Sequence, residues 1–204
     1  LKQESYFIKI NSVDTLHLKR IYTNPTGKVI FMVHGSIENG KIFYSTSGKG
    51  LAPYLAKNGF DVYIADLRGR GQSTPLISKD STFSQTNSIT EDIPAFINKI
   101  IEIRGNTTQH WFAHSWGGVL LASYFSRFEM NRHLVKSMVF FGTKRQITVF
   151  NWEKLIKIDL FWNIFSKLLI KKYGYLPAQK FKMGSDSETK ASYYQTAHWV
   201  KMNP

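Results

Sequence analysis

The stretch AHSWGG, from Ala113 to Gly118, decides how this chain folds. It follows the strand-like run QHWF and precedes the helix-like run VLLASYF. A serine that joins a buried strand directly to a helix occupies a sharp, strained turn, and its side chain is displayed above the sheet. Ala113 and Gly117 are small enough to let the strand and helix pass closely. The helix N-terminus would also aim backbone N–H groups at the space above Ser115. The pattern therefore predicts an exposed nucleophile at Ser115.

Strand-like and helix-like segments alternate along the chain on both sides of that serine. KVIFMVHG (28–35) and DVYIADLRG (61–69) are apolar runs typical of strands covered on both faces. GLAPYLAKNG (50–59) lies between them, has helical spacing and ends at glycine. The segment 88–106 predicts a second helix, capped by its first serine or threonine, and VKSMVFFGT (135–143) predicts a further strand. Such alternation indicates a mostly parallel sheet with helices on both faces, an α/β fold.

The two ends of the chain differ from this central pattern. SYFIKI (5–10) and TLHLKRIYT (15–23) alternate apolar and polar residues, which predicts an antiparallel pair at the sheet edge. After residue 144 the alternation stops, and apolar residues at helical intervals continue from 152 to 173. We expect a core over 1–144, with strands one to six, and a helical lid or cap over 145–204.

Apolar side chains in the expected lid have two interpretations. They either line an acyl or aryl pocket or pack the lid onto the core. These residues are Trp152, Phe161, Trp162, Phe165 and Leu169.

Three segments together resemble the α/β-hydrolase fold superfamily, in its serine esterase, lipase and lysophospholipase-like branch. AHSWGG resembles the nucleophile elbow, with Ser115 as nucleophile and Ala113 in place of the usual first glycine. FMVHGS resembles the His-Gly segment that ends the third strand. DLRGRGQS (66–73) resembles the loop after the fourth strand. The resemblance covers roughly residues 5–144, and these segments end successive parallel strands, where such sheets place their active sites.

The resemblance implies roles for residues around the serine. The backbone N–H groups of Ser36 and Trp116 would form the oxyanion hole, supported by His34, Gly35 and Gly117. We interpret His34 as structural rather than as a catalytic base.

Other polar residues near these motifs are interpreted as structural. Asp66 and Arg68 are expected to hold the turn after the fourth strand. His114 is expected to point away from its neighbour Ser115, which makes it a poor base.

A serine needs a histidine that takes its proton and a carboxylate that orients the histidine. In this superfamily the acid and then the histidine follow the serine, on loops after later strands. The histidines and aspartates after Ser115 are His133, Asp159, Asp186 and His198, and none follows a predicted strand. Three accounts stay open: the acid and histidine lie beyond Pro204; the protein is an inactive relative that binds a ligand; or His198 is the base, oriented by Asp159 or Asp186.

These residues predict a serine hydrolase that cleaves an ester-type bond of a hydrophobic substrate through an acyl-enzyme. Serine at the turn, where epoxide hydrolases and dehalogenases carry aspartate, argues against those branches. Iminopeptidase and acyltransferase activities remain as alternatives. The chemistry needs no cofactor, and the sequence shows no metal-ligand cluster.

The charge and the motifs of the sequence limit the classes of binding partner that we expect. The chain has 27 Lys and Arg against 14 Asp and Glu, a net charge of +13. No zinc-finger spacing or RNA-binding consensus accompanies that charge, so we expect no nucleic-acid partner. Lysines beside aromatic residues in the expected lid predict peripheral contact with an anionic membrane.

Compartment is less constrained by the sequence. The absence of cysteine excludes disulfides and thiolate metal sites. No stretch has the length of a membrane span, and the first residues lack the apolar centre of a signal peptide. We expect a cytoplasmic protein, although a chain that starts at leucine is compatible with a processed N-terminus.

Overall fold

The computed structural model describes residues 1–146, 148 and 150–202; the side chains of residues 153, 157–159 and 161 also lie outside this description. The strands are β1 (Lys2–Lys9), β2 (Thr15–Tyr22), β3 (Val29–Val33), β4 (Asp61–Asp66), β5 (Gln109–His114), β6 (Val135–Phe141), β7 (Tyr175–Leu176) and β8 (Glu188–Thr189). The α-helices are α1 (Leu51–Lys57), α2 (Gln85–Asn87), α3 (Ile93–Arg104), α4 (Trp116–Arg127), α5 (Trp152–Lys154), α6 (Ser166–Tyr173) and α7 (Lys190–Lys201).

Six strands form one mixed sheet in the order β1-β2-β4-β3-β5-β6. The strands β4, β3, β5 and β6 are parallel, whereas β1 and β2 are antiparallel to each other and β2 is antiparallel to β4. The predicted parallel sheet and the predicted antiparallel edge are both confirmed.

The central strand β3 determines where the site lies. All five of its residues are buried, as expected for a strand paired on both sides and covered on both faces. Its register aligns Val33 with Ala113 of β5. Because the two strands are parallel and neighbouring, the loop after β3 and the turn after β5 emerge side by side at one edge of the sheet.

Helices cover both faces of the sheet. On one face, α3 and α4 pack through Phe96, Ile97 and Leu121 against strand residues that include Phe31 and Trp111. On the other face, the small residues of α1 pack against a second apolar cluster built from the same strands. The alternating burial along β5 divides its side chains between these two clusters.

The helix before β5 begins earlier than the sequence predicts. Its first turn is α2, where Ser84 and Asn87 cap each other, and a π-helical turn over Ser88–Asp92 leads into α3. The predicted cap within 88–106 was wrong because those residues already lie inside the helix, after a better cap at Ser84.

The chain after β6 is mainly helical, with one addition to the prediction. A π-helical stretch, Leu155–Phe165, joins α5 to α6, and Gly174 ends α6 in the left-handed conformation. The polar stretch GSDSETK (184–190) contains β8, which pairs with β7. Glu188 in β8 is buried because it forms an ion pair with Arg70 of the core.

The segment from α5 to α7 has its own apolar cluster. Leu169, Ile170 and Tyr193 are among its buried members, and Ile37 from the loop after β3 also packs against it. We call residues 150–202 the lid segment; the division of the chain at 144 stays a prediction. Among the described helices, none combines the length and apolar character needed to cross a membrane.

Candidate functional site

Ser115 occupies a strained turn between β5 and α4. Its φ is +51° and its ψ is −124°, and the helix begins at the next residue. A non-glycine residue with positive φ is uncommon and costs conformational energy. The backbone N–H of Ser115 donates to the carbonyl of Phe141 at 2.8 Å, so β6 holds the turn in place.

Small residues on both sides of the serine are required by packing. Ala113 is fully buried in the core of the sheet. A Cβ added to Gly117 would lie 2.4 Å from the carbonyl oxygen of His34. The start of α4 therefore lies directly on the end of β3, and a side chain at residue 117 would push the two apart.

The loop after β3 lies beside the serine. A Cβ added to Gly35 would be 2.9 Å from the Cβ of Ser115, so the predicted oxyanion loop and the serine turn are neighbours. Among the described residues, neither the N–H of Ser36 nor that of Trp116 donates a hydrogen bond to another group. The Ser115 hydroxyl likewise has no hydrogen-bond partner among them. This edge of the sheet thus presents two unpaired donors and one unpaired hydroxyl.

His34 bridges two backbone segments beneath this loop. It is fully buried; its Nδ1 lies 2.8 Å from the carbonyl of Gly35, and its Nε2 accepts from the N–H of Leu67 at 3.1 Å. Burial, with the nearby charge of Arg70, lowers the pKa of His34 to about 4. The side chain is therefore neutral near pH 7, with the proton on Nδ1. This geometry fits the structural role expected for His34.

Glu38 is a residue of the site that sequence reasoning missed. Its Oε2 accepts the N–H of Gly35 at 2.8 Å and lies 2.9 Å from Nδ1 of His114. His114 thus hydrogen-bonds to Glu38 across the loop. The available signal was an acid three residues after a glycine, a spacing that lets a carboxylate reach back to a backbone N–H.

The turn after β4 is a dense polar network. The Asp66 carboxylate accepts from Gly40 N–H at 2.7 Å and Gln72 N–H at 2.9 Å, and it lies 2.8 Å from Nδ1 of His17. Burial acts to raise the pKa of Asp66, but these hydrogen bonds outweigh it and hold the pKa below its usual range. The contacts agree with the structural interpretation of Asp66.

Arg68 completes that network. Its guanidinium pairs with Asp14 at 3.2 Å, Glu91 at 2.6 Å and Asp92 at 2.9 Å. Burial raises the pKa of Asp92 to about 6, although the charge of Arg68 opposes the rise. All of these partners belong to the protein itself, so Arg68 fixes the turn, as expected.

The candidate base and acid residues are scattered. His133 lies exposed in the turn after α4, and His198 lies exposed on α7. Asp186 is buried, and its carboxylate accepts from the Asn39 side chain at 2.6 Å and the Gly71 N–H at 3.1 Å. Burial raises the pKa of Asp186, although the hydrogen bond from Asn39 opposes this. The structure therefore does not pair Asp186 with His198; the side chain of Asp159 lies outside the described residues.

The apolar residues of the lid segment take different positions. The rings of Trp162 and Tyr193 pack in a tilted arrangement with centroids 5.2 Å apart, and those of Phe165 and Phe181 form a T-shaped pair. Leu169 is buried in the same cluster, whereas Trp152 is exposed. These side chains mainly build the interior of the lid segment; that of Phe161 lies outside the described residues.

Metal binding has no evident place in the part of the chain that the structure describes. No group of three or more histidine, cysteine, aspartate or glutamate side chains is arranged there to hold an ion.

Comparisons with known proteins identify relatives of this chain. The sequence is 29% identical over 133 residues to lipase lipl-3 of Caenorhabditis elegans, a match that covers 61% of this chain and 32% of the relative. It is 26% identical over 112 residues to a probable lysophospholipase L2 of Haemophilus influenzae, covering 55% of this chain and 34% of the relative. The chain therefore spans about a third of the length of these curated relatives.

A solved structure shows the same fold at lower sequence identity. The proline iminopeptidase-related protein of Thermus thermophilus superposes with a TM-score of 0.52 at 20% identity, covering 70% of this chain and 45% of that one. At this identity the likeness concerns the fold alone. The sequence model of the alpha/beta hydrolase fold family matches residues 28–165, and the chain belongs to that family.

Proposed function

We propose that this protein is a serine hydrolase that cleaves an ester bond of a lipid or another hydrophobic substrate through an acyl-enzyme at Ser115. The observation that carries the proposal is the strained turn at Ser115, next to the unpaired N–H groups of Ser36 and Trp116. Strain of this kind persists where function requires it. The lipases and the lysophospholipase among the relatives support an ester-cleaving activity.

The chemistry follows from the position of these groups. The Ser115 oxygen attacks the carbonyl carbon of the ester, and negative charge develops on the carbonyl oxygen. The N–H groups of Ser36 and Trp116 donate to that oxygen, a contribution worth about 3 kcal/mol for each donor. The alcohol leaves, and water then releases the acid from Ser115.

A general base is still needed for this reaction, and we place it outside the described residues. No described histidine hydrogen-bonds to the Ser115 hydroxyl. In the described chain β6 is the edge of the sheet, and its Val139, Phe140 and Phe141 are exposed. We propose that further strands of the full-length protein cover this edge and carry the acid and the histidine.

A fluorophosphonate probe tests the enzymatic proposal. We expect full-length protein to be labelled, with the modified peptide mapping to Ser115, and to hydrolyse p-nitrophenyl esters. Absence of labelling in folded protein would instead support an inactive binding relative. Hydrolysis of prolyl amides in preference to esters would support the iminopeptidase alternative.

A second part of the proposal concerns the lid segment, which we expect to contact anionic membranes. Its exposed apolar residues recur at intervals of four, and Lys167 and Lys171 are exposed beside them. The apolar residues are Trp152, Ile156, Leu160, Ile164 and Leu168. Apolar residues beside cations are typical of helices that lie at a lipid interface.

Vesicle flotation tests this contact. We expect binding to phosphatidylglycerol vesicles, weak binding to phosphatidylcholine, and a loss of binding at high salt. The variant Leu160→Glu should bind less than Lys99→Ala. The latter is the control, because it also lowers the net charge but lies in α3, outside the lid segment. Equal binding of the two variants would contradict the proposal.

A further inference from the structure

The lid segment holds the loop after β3 through three backbone and side-chain contacts. The N–H of Asp186 donates to the carbonyl of Ile37 at 3.1 Å. The Asp186 carboxylate accepts from the side-chain amide of Asn39 at 2.6 Å. Gly184 packs so closely that an added Cβ would lie 2.3 Å from the Ile37 carbonyl oxygen. Asn39 and Asp186 are thus joined although they lie 147 positions apart in the sequence.

Ile37 adopts a conformation that its own side chain disfavours. Its φ is +51°, and a β-branched residue there is a conformational outlier. Such a conformation is energetically unfavourable and persists only when the surroundings enforce it. The surroundings here are the lid segment: the backbone N–H of Asp186 donates to the Ile37 carbonyl, and the Ile37 side chain packs against the lid's apolar cluster. The Asp186 carboxylate holds this backbone in place through Asn39 of the same loop.

The same part of the lid segment is anchored to the core a second time. Glu188 forms an ion pair with Arg70, and both side chains are buried. The N–H of Gly71, next to Arg70, donates to the Asp186 carboxylate at 3.1 Å. Asp186 therefore joins the loop after β3, the turn after β4 and the lid segment at one point.

We propose that Asp186 is a positioning residue that couples docking of the lid segment to the orientation of the Ser36 N–H. Ile37 directly follows Ser36, so the turn that Asp186 enforces sets the direction of the preceding backbone. When the lid segment leaves, Ile37 loses the contacts that hold its strained conformation. The Ser36 donor then no longer faces the developing oxyanion. This inference rests on the proposed function, since it requires Ser36 to be an oxyanion donor.

Three variants of the full-length protein test the coupling. Asp186→Ala removes the side-chain hydrogen bonds to Asn39 and Gly71 that hold this segment on the loop, and it keeps only the backbone bond to Ile37. Asp186→Asn keeps an amide oxygen that accepts both side-chain bonds. Gln195→Ala is the matched control, because Gln195 anchors the lid segment to Thr86 and does not touch the loop after β3. Circular dichroism and thermal unfolding establish that each variant is folded.

Kinetics with p-nitrophenyl butyrate and an alkyl boronic acid supply the readout. For Asp186→Ala we expect kcat to fall about tenfold with KM little changed, less than the loss from deleting an oxyanion donor. The boronic acid, which forms a tetrahedral adduct with serine, should bind more weakly by a similar factor. Asp186→Asn should recover most of the activity, and Gln195→Ala should match the unsubstituted protein.

Several outcomes would overturn the coupling. Unchanged kcat and boronate affinity in folded Asp186→Ala would do so, as would equal losses in Asp186→Ala and Gln195→Ala. Equal losses in the alanine and asparagine variants would remove the hydrogen-bonding basis. Failure of the probe to label Ser115 in the unsubstituted protein would instead remove the proposed function itself, so the two failures are distinguishable.

Discussion

Two turns at the same edge of the sheet, the one after β4 and the one after β5, differ in how far their polar groups are hydrogen-bonded. In the turn after β4, Asp66 and Arg68 are buried and each contacts three partners within the protein. In the turn after β5 and the adjacent loop after β3, the Ser115 hydroxyl and the N–H groups of Trp116 and Ser36 form no hydrogen bond with another described group.

The difference distinguishes polar groups that stabilise the fold from polar groups that are available for a reaction. Buried polar groups are normally satisfied, and their partners hold the backbone in place. Unpaired groups in a strained turn contribute nothing to stability and are available to a substrate. Mutations in the two turns should therefore act on different quantities.

The largest expected effect is on activity, at Ser115. Ser115→Ala removes the nucleophile, and we expect ester hydrolysis to fall by about a thousandfold or more. The midpoint of thermal unfolding should change little, because the hydroxyl has no described partner to lose. Turnover and thermal unfolding should be measured on the same protein. A variant that lost stability rather than activity would contradict the distinction between the two turns.

A large loss of stability is expected at Arg68. Arg68→Ala leaves the buried Asp92 without its cation, which should lower the free energy of unfolding by about 3–5 kcal/mol. Protein that stays folded should still react with the fluorophosphonate probe. Urea titration measures the loss.

Lys99→Ala is the control for Arg68→Ala. It removes an exposed pair with Glu102 and should cost less than about 1 kcal/mol. A loss at Lys99 as large as the loss at Arg68 would show that burial of the network is unimportant.

A smaller, pH-dependent effect is expected at His34, which connects the loop after β3 to the turn after β4 by accepting from the N–H of Leu67. Its pKa is lowered from 6.5 to about 4 in the folded protein. Between these values the unfolded chain binds a proton that the folded chain does not, so stability rises with pH. Relative to His34→Asn, the unsubstituted protein should lose on the order of 2 kcal/mol as pH falls from 6.5 to 4.

Urea titrations of both proteins across this range provide the measurement. The raised pKa of Asp92 affects both proteins alike and cancels in the difference. A difference that stays constant with pH would contradict the assignment of a neutral, buried His34.

The smallest effect compares two substitutions of the same residue. Glycine accepts positive φ without steric cost, whereas alanine does not. Ser115→Gly should therefore be more stable than Ser115→Ala by about 1 kcal/mol, and both should be inactive. Equal stability would show that the turn stores little strain.

The sequence predicts the parts of this site that are built from local patterns. The apolar runs of β3 and β5, and the glycines after Ser115, are signals carried by neighbouring residues. The roles of Ser36 and Trp116 are implied by the resemblance to the α/β-hydrolase superfamily and stay predictions. One prediction from a local signal was wrong: the helix is capped by Ser84, four positions before Ser88, and not by a residue within 88–106.

Long-range contacts could not be predicted in this way. Asp186 was a candidate to orient His198, yet it accepts a hydrogen bond from Asn39, 147 positions away in the sequence. Glu188 lay in an apparently polar loop, and its burial depends on Arg70 in the core. No periodicity encodes these pairings, because the partners lie more than a hundred positions apart and meet only in the folded chain.

The hydrogen bond from the Ser115 N–H to the Phe141 carbonyl ties the serine turn to β6, an edge strand of the described sheet. Edge strands open more readily than central ones, so this amide belongs to the least protected row of the sheet. Deuterium should therefore enter at Ser115 far sooner than at the amides of β3. Covering β6 with another strand would slow that exchange. It would also restrict the motion of the turn that carries the Ser115 hydroxyl.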